Sequence, residues 1–341
     1  MKLVRYSKNP ILKPNPKNPW ENFVTTNPGA WYEEETGRVL MLYRAAGDDE
    51  AHVIRFGLAV SSNGYDFQRV SDQPVFGPST DGFDAGCVED PRIIKIGEYY
   101  YITYAARFYP PGRYWLVAGK PQVWKQSPPE FPYLIRENAT VTGLALTKDF
   151  KTWIRAGRIT NPLVDDRDVI LFPEKINGKF VMLHRPMSWV GPQYGTEHPA
   201  MWISFSEDLL HWPKSTLLAA AKEDWECKIG GNTPPIRTPH GWLTLYHAVG
   251  PDRYYRLGAM LLDLNNPARV THRTKDWIFQ PEEWYETQGC YDGGGVVFPC
   301  GKVVIKDTLF VYYGAADKYV GLATCKLNEL LKYLLSCPTN Q

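Results

Sequence analysis

Short runs rich in aromatic and β-branched residues recur along the chain, separated by polar stretches of Gly, Asn, Asp and Ser. That pattern predicts strands joined by turns. Five X-Pro pairs punctuate it: Asn27-Pro28, Asp90-Pro91, Phe172-Pro173, Pro234-Pro235 and Phe298-Pro299, with the prolines 63, 82, 62 and 64 residues apart. Behind each pair comes a dense run (38–43, 99–104, 179–184, 242–247, 309–313), then a third run (57–61, 143–147, 202–206, 258–262, 321–324). Polar tails such as 62–67 and 147–153 read as hairpin turns into a fourth strand.

A period near sixty residues with several short strands in each repeat suggests a radial array; known propeller repeats run about 40–50 residues. Such packing leaves only short, protected sheet edges. The expected fold is all-β, a five-bladed β-propeller formed by residues 1–341 as one catalytic domain. Each X-Pro proline is expected to open an innermost strand, a position that tolerates proline, and Pro91 to bias Asp90 toward extended backbone. The proline-rich segment 1–24 should wrap the first or last blade as an extended strap. At the other end, Leu327, Leu330, Leu331 and Leu334 have helical spacing and predict a short C-terminal helix. The long second interval is explained by an insertion at 108–140, rich in proline and aromatics without period. Loops of that length are usually binding loops or lids. Aromatic faces serve sugars and protein partners alike, so the insertion would cover the site, with Tyr114 stacking on a sugar, or pack on a second copy in a homo-oligomer.

Composition narrows the function. With 44 % apolar residues, 12 Trp and 21 Tyr, the 341-residue chain has ample material for a core. A net charge of +1 with interspersed signs gives no electrostatic basis for binding nucleic acid or an anionic membrane. No apolar run is long enough to span a bilayer, and Met1-Lys2-Leu3-Val4-Arg5-Tyr6 lacks the apolar stretch of a secretory signal. The six cysteines are scattered without C-x-x-C or metal spacing, as in buried apolar residues of a reducing compartment. A cytoplasmic protein with no bound metal is expected.

In a propeller, corresponding positions of the inner strands converge on the axis. The X-Pro side then supplies Asn27, Glu89, Asp90, Arg92, Asp166, Arg167, Asp168, Lys228 and Asn232; the ends of the second runs supply Arg44, His184, Arg185, His247 and Asp317. Singly, each has a structural explanation: an ion pair between blades, or a satisfied core histidine. Gathered at one axis, so many charged groups point to chemistry.

These residues carry a resemblance. Glu89-Asp90-Pro91-Arg92, the stretch 171–179, His184-Arg185-Pro186, Lys228-Ile229-Gly230, Pro234-Pro235-Ile236, Tyr246-His247, Val297-Phe298-Pro299-Cys300 and the stretch 312–317 resemble, in order and spacing, glycoside hydrolase family 130. That family comprises β-mannoside phosphorylases and related β-mannosidases on a five-bladed propeller. The resemblance implies an inverting reaction with Asp90 as general acid, its proton passing through a mannose hydroxyl. It implies that Arg44, Arg167, Lys228 and His247 hold inorganic phosphate, and that Asn27, His184 and Asp317 hold the mannosyl ring; Glu89, beside Asp90, is a further sugar-binding candidate. It implies no cofactor beyond phosphate as co-substrate. The chain departs from the pattern at Asp168, where many phosphorylases carry Asn; a carboxylate repels phosphate unless protonated or paired.

Three functions follow as candidates. A phosphorylase uses phosphate in place of a base and needs cations, for which Arg forks and a Lys point charge are suited. A β-mannosidase, with β-1,2-linked substrates among its candidates, would need a second carboxylate to activate water; Asp168, Glu174 and Glu226 are available. A non-catalytic sugar-binding propeller would need stacking aromatics but no acid facing cations.

Overall fold

The computed structural model describes residues 1–113, 128–291 and 293–337. These residues are nearly all β, with three short helices. The strand β1 (Val4–Arg5) comes first, and four antiparallel strands follow as one sheet: β2 (Val24–Glu33), β3 (Arg38–Ala46), β4 (Arg55–Ser61) and β5 (Gln68–Arg69). A second sheet holds β6 (Cys87–Ile96), β7 (Tyr99–Arg107), β8 (Val141–Thr147) and β9 (Trp153–Arg158), with the one-turn helix α1 (Tyr133–Arg136) in the insertion. A third holds β10 (Asp166–Leu171), β11 (Phe180–Pro186), β12 (Met201–Ser206) and β13 (Ser215–Ala219).

The remaining strands form a nine-stranded sheet that divides into two units of the same kind. In the fourth unit, β14 (Lys228–Gly231) and β15 (Ile236–Thr238) both pair with β16 (Gly241–Val249), followed by β17 (Tyr254–Leu262) and β18 (Val270–Arg273). The fifth holds β19 (Gly295–Ile305), β20 (Thr308–Ala315) and β21 (Tyr319–Lys326), and its fourth strand is β1 from the chain's beginning. Their strands pair with one another where Tyr254–Tyr255 run parallel to Gly295–Val296. First strands pack on one another: β2 touches β6 and β19, β6 touches β10, and β10 touches β14. The segment before β2 thus wraps the last unit, and Leu12 bridges Val320 there. Helix α2 (Trp284–Thr287) precedes β19. The C-terminal helix α3 (Leu327–Ser336) buries Leu330, Leu331 and Leu334 in the core shared by the fourth and fifth units. No described helix is long and apolar enough to cross a membrane.

The prolines do not open the strands. Pro28, Pro91 and Pro299 lie inside β2, β6 and β19, Pro173 follows β10, and Pro235 falls between β14 and β15. In each of β2, β6 and β19 the pairing register shifts beside the proline. Proline lacks the N–H that a ladder needs, and a bulge is where that loss costs least. Asp90 is not extended either: its φ is 53°, with Asn27 at 43° and Asp168 at 54°. All three sit at first-strand bulges in the left-handed region, which Asn and Asp tolerate better than other side chains.

One polar contact is repeated between strands. In four units a tyrosine of the second strand lies on a glycine of the third: Tyr43 on Gly57, Tyr104 on Gly143, Tyr246 on Gly258 and Tyr313 on Gly321. A Cβ on any of these glycines would fall inside the ring. Each hydroxyl donates to a buried carboxylate from the connection into the first strand: Glu21 (3.0 Å), Asp84 (2.8 Å), Glu226 (2.9 Å) and Glu286 (2.7 Å). An arginine of the fourth strand closes each strut: Arg69, Arg155, Arg273 and Arg5. Removing one partner of a buried ion pair strands the other charge and costs about 3–5 kcal/mol, whereas a lost neutral donor costs about 1–3. Arg273→Ala should therefore lower unfolding free energy by about 3–5 kcal/mol, and Tyr246→Phe by less. Urea titrations showing equal, small losses would mean that the strut is ornamental.

Candidate active site

A cavity of about 380 Å³ opens where the first strands meet. Its lining unites Asn27, Arg44, Glu89, Asp90, Arg92, Arg167, Asp168, Arg185 and Asp317, residues of four units that no local element joins. The bulges explain why. Each puts a residue with positive φ at the mouth of its strand, so the side chain leaves the ladder and enters the cavity. Asp317, at φ 55°, does the same from the turn between β20 and β21.

Asp90 is held at one oxygen. Its Oδ1 accepts from Asn27 Nδ2 at 2.8 Å and from Arg44 Nη1 at 3.0 Å, and the side chain remains 17 % exposed. Arg44 Nη1 also lies 3.1 Å from Glu89 Oε2, while Arg107 Nε donates to Glu89 Oε1 at 3.0 Å. Burial alone would raise the Glu89 carboxyl, but Arg44 and Arg107 overcome it and hold it at about 2. Asp317 has no such support. Burial pushes it up to about 6, against Arg44, and the neighbouring Asp90 and Glu89 charges add to the rise.

The opposite wall is built around Asp168. Arg185 Nε donates to Asp168 Oδ2 at 2.6 Å and Arg92 Nη2 reaches Oδ1 at 3.4 Å. Burial opposes ionisation there, but the Arg185 and Arg92 guanidinium groups keep the carboxyl well below the usual range. Gly230 packs on this cluster: a Cβ would lie 2.4 Å from Asp168 Oδ2 and 2.7 Å from Arg185 Nε. Arg167 instead forms a two-point pair with Asp165, at 2.7 and 2.8 Å. Lys228 stands just behind the lining, its Nζ donating at 3.0 Å to Tyr255 Oη. Burial, with the repulsion of Arg185 and Arg167 and against the pull of Asp168, lowers it to about 7.

Several residues are placed differently from their expected positions. His247 lies beneath the cavity, fully buried, with Nε2 3.6 Å from Asp168 Oδ2. Burial keeps it neutral. His184 lies outside the cavity lining: Nδ1 is 2.8 Å from Asp166 Oδ2, and Nε2 is 3.1 Å from both Ser204 Oγ and Ser215 Oγ. It occupies the strut position that tyrosine holds in the other units. Four carboxylates, Glu89, Asp90, Asp168 and Asp317, share the lining with five arginines, Arg44, Arg92, Arg107, Arg167 and Arg185. Tyr114 lies outside the described residues; of the insertion, Pro111 and Thr140 reach the lining.

Other lining residues were not anticipated. Tyr255, Tyr291 and Phe298 form an aromatic wall, with ring centroids 5.5 Å (Tyr255–Tyr291) and 6.0 Å (Tyr255–Phe298) apart. Tyr255 is the second residue of β17, ahead of the run that begins at Gly258. Arg107 ends β7, the end of a second run, and was legible by the same rule that selects Arg44.

The family model described as beta-1,4-mannooligosaccharide phosphorylase, that of glycoside hydrolase family 130, matches residues 2–139 and 133–336. The chain is 35 % identical over 338 residues to 1,2-beta-oligomannan phosphorylase of Thermoanaerobacter sp. (strain X514), covering 97 % of this chain and 99 % of that protein. It is 29 % identical to the beta-1,4-mannooligosaccharide phosphorylase of Ruminococcus albus, over 98 % of this chain and 91 % of that one. Among solved structures, beta-1,2-mannobiose phosphorylase from Listeria innocua, in complex with beta-1,2-mannobiose, matches with a TM-score of 0.77 at 28 % identity, covering 98 % of this chain and 99 % of that one. The chain belongs to glycoside hydrolase family 130.

A carboxyl raised from 3.8 to about 6 binds its proton more tightly in the folded state than in the unfolded one. Folded stability therefore falls as pH rises from near 4 through 6, and the penalty is complete above that. Asp317→Asn removes the penalised charge, so its Tm should exceed that of the wild type at pH 7.5 by more than it does at pH 4. A calorimetric difference that is the same at both pH values would refute the assignment.

Proposed function

We propose that this chain cleaves β-mannosides by inverting phosphorolysis, releasing α-mannose 1-phosphate and a shortened acceptor sugar. The phosphorylase activities named for its relatives support this reading. The single observation that carries it is the commitment of the carboxylates that hydrolysis would need as a base. Asp168 is engaged by Arg185 and Arg92, and Glu226 is locked by Arg273 and Tyr246. Glu174 is half-exposed and faces Arg237 at 3.2 Å. An ionised, doubly paired carboxylate is a poor general base, whereas bound phosphate supplies the nucleophile itself. Because Asp168 is paired, its charge no longer argues against phosphate.

In this reading Asp90 is the general acid. Asn27 and Arg44 fix Oδ1, leaving the second oxygen for a mannose hydroxyl that passes the proton to the glycosidic oxygen. Phosphate, held by Arg167, Arg185 and Lys228 with Arg44 at the edge, attacks C1 from the opposite face. The C1–O bond to the leaving sugar breaks as the new C1–O bond to phosphate forms, which inverts β to α. His247 backs the cluster through Asp168 without touching phosphate. Asn27, Glu89 and Asp317 hold the mannosyl ring beside the aromatic wall, and His184 leaves that set. The reaction needs no cofactor, only inorganic phosphate as co-substrate, with no nucleic acid and no membrane as partner.

The architecture that suits this site is a five-bladed propeller, with residues 1–341 as one domain. The five units, their converging first strands and the completion of the last unit by β1 support it. Phe131 and Tyr133 of the insertion, 40 and 63 % exposed, support a contact with a second copy of the chain. Six unpaired cysteines suit a cytoplasmic location.

Incubation of β-1,2- and β-1,4-mannobiose with and without phosphate tests the reaction: α-mannose 1-phosphate should form only with phosphate. Lys228→Ala should raise the apparent phosphate KM before it alters sugar binding. Free mannose released at one rate in both conditions would make the chain a β-mannosidase. Asp90→Asn keeps the shape and loses the proton, so activity on an unactivated mannoside should drop ~10²–10⁴-fold; full activity would leave Asp90 a turn residue.

A further inference from the structure

The third unit breaks the strut rule, and it does so next to the site. Elsewhere the buried carboxylate lies in the connection ahead of the first strand. Here it is Asp166, the first residue of β10 itself, immediately before Arg167 and Asp168. His184 replaces the tyrosine and faces Trp202 rather than glycine on the third strand. Ser204 on β12 and Ser215 on β13 take the arginine's place.

The bonds form a line across all four strands. Ser215 Oγ and Ser204 Oγ are 2.7 Å apart, each is 3.1 Å from His184 Nε2, and His184 Nδ1 is 2.8 Å from Asp166 Oδ2. With the imidazole proton on Nδ1 toward Asp166, the single Nε2 lone pair accepts from one serine hydroxyl, and the other serine donates to that one. Every group on this line except Ser215 is buried.

The backbone needs such a line here. Asp166 pairs with Pro186, which has no N–H to donate, so the ladder is weak where the strand begins. Beyond Arg167 the register shifts, and Asp168 turns out of the ladder at φ 54°. Of the two residues that face the cavity, Arg167 therefore follows a proline-weakened pair and Asp168 sits in the bulge itself.

We propose that the Ser215–Ser204–His184–Asp166 line is a positioning device for the anion half of the site, setting the direction in which Arg167 and Asp168 project. It touches neither sugar nor phosphate. The inference rests on the phosphorolysis reading only in that its readout is phosphate.

The experiment compares Asp166→Ala with Asp166→Asn, whose carbonyl oxygen can still accept from Nδ1–H. Coupling energies between contacting residues of 0.5–3 kcal/mol correspond to about 2- to 150-fold. The alanine variant should raise the phosphate KM about three- to tenfold and leave the mannoside KM within about twofold, with the asparagine variant close to wild type. If the alanine variant does not fold, Ser215→Ala, at the partly exposed end of the line, should give a smaller rise in the same direction. A folded variant with unchanged phosphate KM, equal rises in both KM values, or asparagine behaving as alanine would each reduce the line to a structural strut. Calorimetric titration with inorganic phosphate separates the two readings: a wild type that cleaves mannosides without phosphate overturns the function, whereas a wild type that needs phosphate and an Asp166→Ala that binds it normally overturns the device.

Discussion

A carboxylate taken out of water must be matched by donors, or it destabilises the fold around it. Glu21, Asp84, Glu226 and Glu286 are each matched by a tyrosine hydroxyl from the second strand and an arginine from the fourth. Because the partners come from different strands, satisfying the charge forces the strands into one register. It also forces the third strand to carry glycine, since the tyrosine ring lies where a Cβ would be. The same contact therefore sets spacing, register and the start of the first strand, on which the cavity is built.

The cavity turns on the opposite use of charge. Its carboxylates and arginines are mutually engaged but unevenly. Glu89 and Asp168 are held firmly ionised by two guanidinium groups each. Among the described residues Asp90 is bonded at one oxygen, by Asn27 and Arg44, and Asp317 is raised toward neutrality by burial, with Asp90 and Glu89 adding to the rise. The firmly paired groups give the pocket a fixed electrostatic frame. The less constrained groups are Asp90, Asp317 and Lys228, the last lowered to about 7 by burial. Four of the twelve described non-glycine residues with positive φ, Asn27, Asp90, Asp168 and Asp317, lie in the same place. Residues held so cost of order 1–3 kcal/mol each unless their surroundings over-determine them, as side-chain bonds do at Asn27, Asp90 and Asp168.

How much of this was legible in the chain depends on the range of the interaction. The five second runs and five third runs were visible because alternating burial on a sheet leaves a period in the sequence. The helical face of Leu327, Leu330, Leu331 and Leu334 was visible for the same reason. Convergence of Arg44, Asp90, Arg167, Arg185 and Asp317 followed from the repeat, since equivalent positions in a radial array meet. Local sequence could not show which way a side chain leaves a bulge. Asp90 before proline reads as extended, yet the bonds from Asn27 and Arg44 hold it at positive φ. Nor could it distinguish His184 from a ligand-binding histidine, because its partners Ser204 and Ser215 lie on other strands. The balance of charge belonged to the tertiary structure as well: Arg167 is matched by Asp165, two residues away, but Asp168 by Arg185 and Arg92 from two other strands. Periodicity is a property of one strand and its own faces, so the sequence alone determined the repeat and the pool of polar residues. Pairing is a property of side chains brought together from separate units, so only the tertiary structure decided which of them enter the cavity and which hold the strands.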